Sequence, residues 1–559
     1  MDIRVSQPAG ALERTSALVE ALRAPECYFH PANDIEVLQT HISFVVLAGP
    51  FAYKIKKPVK LPFLDFSTLQ TRRHYCEEEV RLNARTAPEL YLGVVPIAGN
   101  FERPVMGGMG EAIEYAVRMR RFPAAARLDH LAASDRLEAR HVDALANEIA
   151  RLHAQARRAD PRLDFGSPDG ILHAALDNFA SIQLADEPGD TFTVPRSLYH
   201  WTTAEHARLR DLMRQRRLDG FVRECHGDLH LANVVLLETG PVLFDCVEFN
   251  SALRWIDVAS DAAFAFMDLH FHGYPALAAR LAGAYFERTD DYAGLELLRF
   301  YAVYRAMVRA KIAAISVRQP GIPRHDRDQH RAAFARYVEL AQRLALCGPV
   351  GIVAMHGFSG SGKSVVSETL AERLGAIRIR SDVVRKYLHG LPPSGASGSH
   401  IQEGLYAPAS STRTYLALAA RAMQVVHAGY PVIVDATFLD RAQRRRFSDL
   451  ADSLGVPFAI VDCTASPGTL RERILRRSGA RIDPSEANLA VLDHQMRSAS
   501  PLGPGEREGC ITCDTESKDP GAQAAERLLT VLAQKSKEEP CVTSTSSTAT
   551  PTASAPCTS

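Results

Sequence analysis

The stretch HGDLHLANVVLLETGPVLFDCVEFN, residues 226–250, decides the fold of the N-terminal part of this chain. Two short apolar runs, NVVLLE and PVLFDCVEF, flank a Thr-Gly-Pro turn, which predicts a β-hairpin. The hairpin brings Asp245, at the end of one strand, near Asn233, at the start of the other. Asp228 lies in the loop that leads into the hairpin. The sequence therefore predicts two carboxylates and a carboxamide gathered around one hairpin.

This grouping suits phosphoryl transfer. Two oxygen ligands hold Mg²⁺ on nucleotide phosphates, and a carboxylate accepts the proton of an incoming hydroxyl. We expect Asp228 to be the catalytic base, and Asn233 and Asp245 to be the metal ligands. The gap between Asp228 and Asn233 is that of a protein-kinase catalytic loop, but Asp245 is followed by Cys and not by Phe-Gly.

A kinase site also needs a lysine on the phosphates, and the strand-like stretch FAYKIKK offers two. Lys54 stands where the motif V-A-I-K places its lysine. Lys56 shares the same strand face and remains an alternative. The helix-like CEEEV supplies a glutamate to pair with the lysine; Glu79 is favoured and Glu78 stays open.

The extended segment EYAVRMRRF, residues 114–122, lies where a hinge between two lobes is expected. We expect the backbone around Val117–Met119 to hydrogen-bond an adenine, and Met119 is assigned to the nucleotide site on that basis.

The order strand Lys, helix Glu, HGDLHLANVV and LFDCVEFN closely resembles the aminoglycoside phosphotransferase-like kinases, a branch of the protein-kinase-like fold. The resemblance covers roughly residues 30–345 and implies an α+β domain of two lobes. It implies the roles given above for Asp228, Asn233, Asp245 and Lys54, and it suggests that Asp257 braces the catalytic loop. The family phosphorylates hydroxyls on very different small molecules, so the acceptor stays open.

A second motif, GFSGSGKS at residues 357–364, fits G-x-x-x-x-G-K-[ST] and lies between an apolar strand and a helix-like segment. Both context tests for a P-loop are therefore met. Lys363 is expected to reach the terminal phosphates and Ser364 to bind Mg²⁺. The backbone expected to cradle the phosphates belongs to Gly357, Ser359, Gly360, Ser361 and Gly362.

Further residues favour a kinase over a motor. Asp382 and Arg385 share a helical face just after the second strand, where the carboxylate would deprotonate a hydroxyl and the guanidinium would bind an anion. Asp435 ends a buried strand and is expected to hold a magnesium-bound water. Arg473 and Arg477 are expected to close over the phosphates as a lid.

Residues 348–535 resemble the P-loop kinases related to phage polynucleotide kinase and zeta toxin, through the P-loop, Asp382-x-x-Arg385 and the lid arginines. Strand-like and helix-like segments alternate there, which predicts an α/β domain with a parallel sheet. The whole arrangement resembles the bifunctional aminoglycoside phosphotransferase/ATP-binding proteins, whose second half is often labelled an AAA-type ATPase.

The 559 residues are too many for one core. The stretch CGPV, 347–350, marks the expected seam between a kinase-like domain at 1–346 and a P-loop domain at 347–535. The Ser/Thr/Pro/Ala-rich tail at 536–559 is expected to be disordered.

Lys+Arg and Asp+Glu are equal at 65 each, which disfavours nucleic acid as a partner. No stretch has the length of a membrane span, and sparse cysteines favour a reducing cytoplasm. The role of the Cys510/Cys513 pair and the oligomeric state stay open. The sequence predicts a cytoplasmic, Mg²⁺- and ATP-dependent phosphotransferase with two sites acting on hydroxyls of small molecules. The alternatives are a nucleotide switch without catalysis, or a polynucleotide-kinase-like end-modifying enzyme.

Overall fold

A computed structural model gives the structure of the chain and describes residues 10–61, 64–180, 182–185, 192–317, 322–391, 408–480 and 488–535. The tail predicted at 536–559 lies outside these residues. The strands are β1 (Glu36–Gln39), β2 (Ser43–Ala48), β3 (Phe51–Lys56), β4 (Lys60–Leu61), β5 (Leu64–Asp65), β6 (Tyr91–Gly99), β7 (Pro104–Met106), β8 (Ala112–Arg120), β9 (Gln183–Ala185), β10 (Thr193–Pro195), β11 (Val222–Glu224), β12 (Val234–Leu237), β13 (Gly240–Leu243), β14 (Trp255–Asp257), β15 (Ile352–His356), β16 (Ile377–Arg380), β17 (Val432–Asp435), β18 (Phe458–Thr464) and β19 (Cys510–Asp514). The helices are α1 (Ala11–Ala21), α2 (Leu69–Asn83), α3 (Leu128–Ala133), α4 (Ala139–Gln155), α5 (Pro168–Ala180), α6 (Arg196–Leu218), α7 (Ser251–Arg254), α8 (Val258–Phe271), α9 (Pro275–Thr289), α10 (Leu295–Val317), α11 (Arg324–Ala345), α12 (Lys363–Leu374), α13 (Ser381–Leu388), α14 (Pro408–His427), α15 (Arg441–Ser453), α16 (Pro467–Ala480), α17 (Leu489–Ser498), α18 (Pro504–Glu508) and α19 (Pro520–Lys535).

An antiparallel sheet in the order β1-β2-β3-β8-β6-β7 forms the first lobe. Side chains alternate across β3, as a pleated strand requires. Tyr53 and Ile55 pack in a cluster with α1. Ala52 lies in a second cluster on the opposite face together with Cys76 of α2. Lys54 and Lys56 share the Ala52 face, and α2 therefore brings its glutamates to these two lysines.

The predicted hairpin is present as the antiparallel pair β12–β13, with Val234 opposite Leu243. Its turn is Glu238–Thr239, slightly earlier than the expected Thr-Gly-Pro, and Gly240 already belongs to β13. The hairpin joins the sheet lobe to a helical lobe built around α8, which is buried over nearly its whole length, and α10. The catalytic loop, residues 226–233, thus lies between the two lobes.

A five-stranded parallel sheet in the order β16-β17-β15-β18-β19 forms the C-terminal unit, as the alternating pattern predicted. Burial explains why β15 and β17 are continuous apolar runs, since both are central strands covered on two faces. The P-loop follows β15, α13 follows β16, and Asp435 ends β17. Since parallel strands end at one edge, these three features gather there.

The two units pack directly against each other through α9 and α10 on one side and β16, α12 and α14 on the other. Arg280 of α9 contacts Asp143 of its own unit and Glu372 of α12, at 2.6 Å in each case. Arg421 of α14 binds Asp290, just past α9, at 2.6 Å. One apolar cluster runs across the interface. Among the described helices, none has the length and hydropathy needed to cross a membrane.

Candidate active sites

The catalytic loop places two of the predicted residues together, Asp228 and Asn233. Asn233 Nδ2 donates to the Asp228 carbonyl oxygen at 2.9 Å and to Asp228 Oδ2 at 3.1 Å. His230 Nε2 lies 3.3 Å from the same Oδ2. The amide group of Asn233 is thereby oriented, with Nδ2 toward Asp228, and Oδ1 is the atom that remains to face a metal. The Asp228 side chain is 36% exposed and so reaches the cleft from an otherwise buried loop.

Asp228 is ionised over the ordinary pH range. Burial alone would raise its pKa, but the charges of His230, Arg309 and His226 and the His230 hydrogen bond hold the pKa well below its usual value. His226 itself is fixed by the loop, because its Nε2 contacts the Phe244 carbonyl at 2.8 Å and its Nδ1 accepts from Asp228 N. The predicted base is therefore an ionised carboxylate.

Both candidate lysines reach Glu79. Lys54 Nζ donates to Glu79 Oε1 at 2.9 Å, and Lys56 Nζ donates to Glu79 Oε2 at 2.7 Å. Lys54 also contacts Asp245, whose side chain is 39% exposed, whereas Lys56 contacts the buried Glu248. Burial alone would raise the pKa of Glu79, but the two lysines lower it. Lys54 is thus the lysine that reaches the solvent-accessible part of the site, and Lys56 is fully buried behind it.

Glu78 does not join this network. Its carboxylate binds Arg81 at 2.8 Å and lies 3.6 Å from Arg254. Asp245 has a left-handed backbone, with φ of 64°, and its N–H donates to Tyr91 Oη at 3.1 Å. A non-glycine residue in this region is uncommon, and such strain concentrates at functional sites.

The catalytic loop is braced by Asp261 of α8 and not by Asp257, which corrects the expectation from sequence. Asp261 accepts from His226 N and Gly227 N, both at 2.9 Å. Asp257 instead caps α8 by accepting from Ala259 N at 2.8 Å, and it also binds Arg216. Both aspartates occur in the same short stretch of sequence, and only the backbone path distinguishes their roles.

The expected adenine contact at the Met119 backbone is also corrected. Met119 lies inside β8, opposite Ala52 of β3 on one side and Tyr91 of β6 on the other. Its backbone groups therefore face neighbouring strands of the sheet, and its side chain is buried in the cluster behind the site. The segment that leaves β8 for the helical lobe begins at Arg121, after the residue predicted.

The P-loop backbone has the conformation that a phosphate cradle needs. Gly357 has φ of +137° and Gly360 has φ of +84°. A Cβ atom at Gly357 would lie 2.5 Å from the Cys463 carbonyl oxygen, and one at Gly360 would lie 2.6 Å from the Leu470 carbonyl oxygen. Only glycine fits at these two positions, so the loop can wrap closely around an anion.

The remaining P-loop residues lie along the same turn. Ser361 and Lys363 are buried, and Lys363 Nζ donates to the Phe358 carbonyl at 2.7 Å. Gly362 precedes the first residue of α12, and Ser364 is exposed in the first turn of that helix. The ammonium and the hydroxyl therefore sit at the positive end of a helix dipole.

Asp435 ends β17 and is buried, and it accepts a hydrogen bond from Ser367 Oγ at 3.0 Å. Ser367 lies one turn after Ser364 on α12. The predicted metal-side carboxylate is therefore held against the helix that begins with the P-loop lysine.

Asp382 and Arg385 contact each other. Arg385 Nη1 donates to Asp382 Oδ1 at 2.7 Å within α13. The sequence assigned separate tasks to these groups, deprotonation to one and anion binding to the other. The structure shows them as an ion pair, which a bound substrate would have to share.

Arg473 lies beside the P-loop. Its Nη1 donates to Thr515 Oγ1 at 2.9 Å and approaches the Gly360 carbonyl at 3.5 Å, and its Nη2 donates to the Thr515 carbonyl at 3.0 Å. The side chain of Arg477, the second predicted lid residue, lies outside the described residues.

Sequence reasoning missed a contact on the P-loop. Gln495 of α17 accepts a hydrogen bond from Ser359 N at 2.9 Å through Oε1. One of the loop amides expected to face phosphate is thus engaged by a carboxamide. Glutamine in an unremarkable helix gives no sequence signal, because the contact depends on how α17 packs against the loop.

His153, Cys225 and Asp261 form the one group in the described part of the chain with metal-ligand spacing. His153 bridges Tyr285 Oη at 2.8 Å and Asp261 Oδ2 at 3.1 Å, so this group supports the catalytic loop. Cys510 and Cys513 both lie in β19, where a spacing of three puts them on opposite faces. Cys513 is instead opposite Cys463 of β18.

The donors present fit Mg-ATP at both sites. In the first site, Asn233 and Asp245 offer the oxygen atoms that Mg²⁺ prefers, beside a lysine held by a glutamate. In the second, the glycine cradle, Lys363 and Ser364 offer amides, an ammonium and a hydroxyl in the order that a P-loop uses.

Comparison with known proteins finds a family model for each half of the chain. The family model described as a phosphotransferase enzyme family matches residues 75–298, and the one described as an AAA domain matches residues 352–502. The chain belongs to the family of fused aminoglycoside phosphotransferase-like and P-loop proteins. An uncharacterised protein of Mycobacterium tuberculosis (strain ATCC 25618 / H37Rv) is 31% identical over 475 residues, which are 83% of this chain and 91% of that protein.

Among solved structures, a choline/ethanolamine kinase family protein from Mesorhizobium loti is similar with a TM-score of 0.34 and 11% identity, over 59% of this chain and 99% of that one. A gluconokinase from Sinorhizobium meliloti 1021 is similar with a TM-score of 0.24 and 24% identity, over 34% of this chain and 95% of that one. The predicted fold class, a kinase-like half followed by a P-loop half with a parallel sheet, is confirmed. The first half belongs to a phosphotransferase enzyme family and the second matches an AAA domain, and the fused protein is a phosphotransferase.

Proposed function

We propose that this protein carries two separate Mg-ATP sites, one in a domain at 1–346 and one in a domain at 347–535. Each transfers the γ-phosphoryl group of ATP to a hydroxyl of a small molecule. The observation that carries the proposal is that the Asp228–Asn233 pair adjoins the Lys54–Glu79–Asp245 network, because Phe244 N, one residue before Asp245, donates to the Asn233 carbonyl at 3.0 Å. The described cysteines are free thiols, which supports a cytoplasmic location.

In the first site Asp228 receives the hydroxyl proton of the acceptor. The acceptor oxygen forms a bond to the γ-phosphorus, the bond from that phosphorus to the bridging oxygen breaks, and ADP leaves with the electron pair. Lys54, held by Glu79, neutralises phosphate charge, and Asn233 and Asp245 would hold Mg²⁺, which supplies further charge neutralisation. The low pKa of Asp228 means that the base is ready at neutral pH.

In the second site the P-loop amides and Lys363 would bind the phosphates, and Ser364 and Asp435 would hold Mg²⁺ and its water. Asp382 would receive the acceptor proton. Its ion pair with Arg385 presents a guanidinium to an anionic part of the acceptor. Arg473, beside Gly360, is placed to counter charge that develops on the phosphates.

The test compares Asp228→Asn and Lys363→Met with the wild type in Mg²⁺-dependent ADP release and in ATP binding by calorimetry. Asp211→Asn is the matched control, because the Asp211 side chain is 90% exposed. Asp228→Asn should keep ATP affinity at the first site and lose transfer there by roughly 10²–10⁴-fold. Lys363→Met should weaken ATP binding at the second site. Turnover by Asp228→Asn equal to the wild type, on an acceptor used by the first half, would rule out the proposed base.

A further inference from the structure

One face of α10 forms a wall of the first site. Arg305 Nη1 donates to the Gly227 carbonyl at 3.1 Å, next to the catalytic Asp228. Ser316 Oγ contacts His41 Nε2 at 3.1 Å, and His41 lies in the β1–β2 loop of the other lobe. Eleven residues separate Arg305 from Ser316, which is three turns of one helical face, or about 16 Å. This face therefore spans the cleft from the catalytic loop to the opposite lobe.

Arg309 lies on that face, one turn after Arg305. Its Nε donates to Tyr337 Oη at 3.4 Å, and its guanidinium stands 5.8 Å from the centre of the Tyr337 ring. Over the part of the chain that the structure describes, no carboxylate lies within 4.0 Å of this guanidinium. Lys311, two residues later on the same helix, is paired with Asp177. Arg309 thus differs from its charged neighbour in having no ion pair to any described residue.

The two carboxylates whose charges act on Arg309 are those of Asp228 and Asp268, and both already have other hydrogen-bonding partners. Asp268 accepts from Leu231 N at 2.8 Å and lies 3.8 Å from His272. Asp228 is held by His230 and Asn233, as described above. Burial would lower the pKa of Arg309, but Tyr337 and the charges of Asp228 and Asp268, which act at longer range, raise it. A partly buried guanidinium without a direct anionic partner is unfavourable, and a bound anion removes that penalty.

We propose that Arg309 binds an anionic group, a carboxylate or a phosphate, on the same acceptor whose hydroxyl faces Asp228. The inference rests on the proposed function of the first site and names its substrate class. A guanidinium presents a planar fork that matches both anions in two-point contact. A cationic acceptor such as an amino sugar would lie near the guanidinium groups of both Arg305 and Arg309, and these like charges would repel it.

The test uses four three-carbon compounds that share a 1,2-diol and differ in the group on the third carbon: glycerol, glycerate, glycerol 3-phosphate and 3-amino-1,2-propanediol. The protein is the full chain carrying Lys363→Met, so that ATP binding at the second site does not contribute to the signal. Arg309→Met is compared with Lys311→Met, which removes the same charge from the same helix. Phosphoryl transfer is measured as kcat and KM. Binding is measured as the shift in thermal unfolding with Mg²⁺ and a non-hydrolysable ATP analogue present.

Tryptophan emission makes the binding measurement specific. The chain has two tryptophans, Trp201 and Trp255, and both belong to the first half. A ligand that binds there shifts the emission-detected transition by an amount that reports its affinity. If Arg309→Met does not fold, its emission-detected unfolding transition will be absent. Arg309→Lys is then used in its place, because lysine keeps the positive charge but cannot make the two-point contact.

We expect glycerate or glycerol 3-phosphate to bind at least about 10-fold more tightly than glycerol or the amine. Arg309→Met should weaken binding of the anionic acceptor by roughly 10- to 100-fold, mainly as a rise in KM, and Lys311→Met should leave that binding unchanged. The glycerate and phosphate arms tell which anion is preferred. Glycerol or the amine binding as tightly as both anions, or anion binding insensitive to Arg309, would overturn the proposal. Arg309-dependent anion binding without transfer to any diol supports the anion subsite and counts against the proposed activity.

Discussion

The exchange Lys56→Met tests the buried charge network of the first lobe. Lys56 is fully buried and donates to Glu79 Oε2 at 2.7 Å and to Glu248. When the ammonium is removed, Glu79 keeps its ion pair with Lys54. Glu248, whose side chain is 3% exposed, loses the lysine that neutralises its charge. Breaking a buried pair from one side costs about 3–5 kcal/mol of unfolding free energy. The structure therefore predicts a loss in that range.

Two further variants set the scale. Lys60 pairs with Asp65 at 2.8 Å, but the two side chains are 58% and 42% exposed, so Lys60→Met should cost at most about 1 kcal/mol. The double change Lys56→Met with Glu248→Met replaces both charges by apolar groups, and it should recover most of the loss because no buried charge remains.

The assay is urea unfolding, monitored by tryptophan emission. Both tryptophans lie in the first half, so the emission reports unfolding of that half and not of the second. With an m-value of about 3 kcal/mol/M, a loss of about 3–5 kcal/mol moves the midpoint down by roughly 1–1.7 M. Lys60→Met should move it by about 0.3 M or less. A shift for Lys56→Met no larger than that for Lys60→Met would refute the reasoning.

The pH dependence of the loss has a definite sign. Burial raises the pKa of Glu248 above its usual value even though Lys56 opposes the shift, and removal of Lys56 raises it further. Between the unfolded and folded pKa values the native state then binds more protons, so stability falls as pH rises through that window. The loss caused by Lys56→Met should be larger at about pH 8 than at about pH 5.5. A loss that grows as the pH falls would contradict this assignment.

Three other outcomes follow from the structure. Gly360→Ala should abolish ATP binding at the second site in calorimetric titration, because its Cβ would lie 2.6 Å from the Leu470 carbonyl oxygen in a backbone with φ of +84°; affinity equal to the wild type would contradict the cradle. Arg280→Ala should speed hydrogen exchange in α9 and α12 together, since Arg280 binds Glu372 at 2.6 Å; unchanged exchange in α12 would show that this contact does not hold the halves. The low pKa of Asp228 predicts that kcat/KM of the first site stays flat from about pH 7 to about pH 5 in a chain lacking the P-loop lysine; an acid limb near pH 6 would count against Asp228 as the base.

Local pattern was sufficient for the elements that carry the sites. The β12–β13 hairpin follows from two apolar runs around a turn, and β15 with its P-loop follows from an apolar run before clustered glycines. These features depend on residues close together in the chain. The parallel sheet of the second half follows equally from strand and helix alternation.

Contacts between distant elements were beyond the reach of local pattern. Lys54 and Lys56 look interchangeable in sequence because they share a strand face. The structure separates them by the second carboxylate that each contacts, a partly exposed Asp245 for Lys54 and a buried Glu248 for Lys56. Asp257 and Asp261 differ in the same way, since only Asp261 is carried to the amides of the catalytic loop.

The sequence by itself determined the kinase-like fold of the first half, the P-loop fold of the second, and the identity of Asp228, Asn233 and Lys363 as candidate site residues. The reason is that turns, strand periodicity and glycine-rich loops are set by neighbouring residues. Only the tertiary structure decided that Arg309 lies near the catalytic loop with no carboxylate of the described residues bound to it, and that Arg280 joins the two halves. The partners of such side chains come from elements far apart in the chain, and packing alone brings them together or keeps them apart.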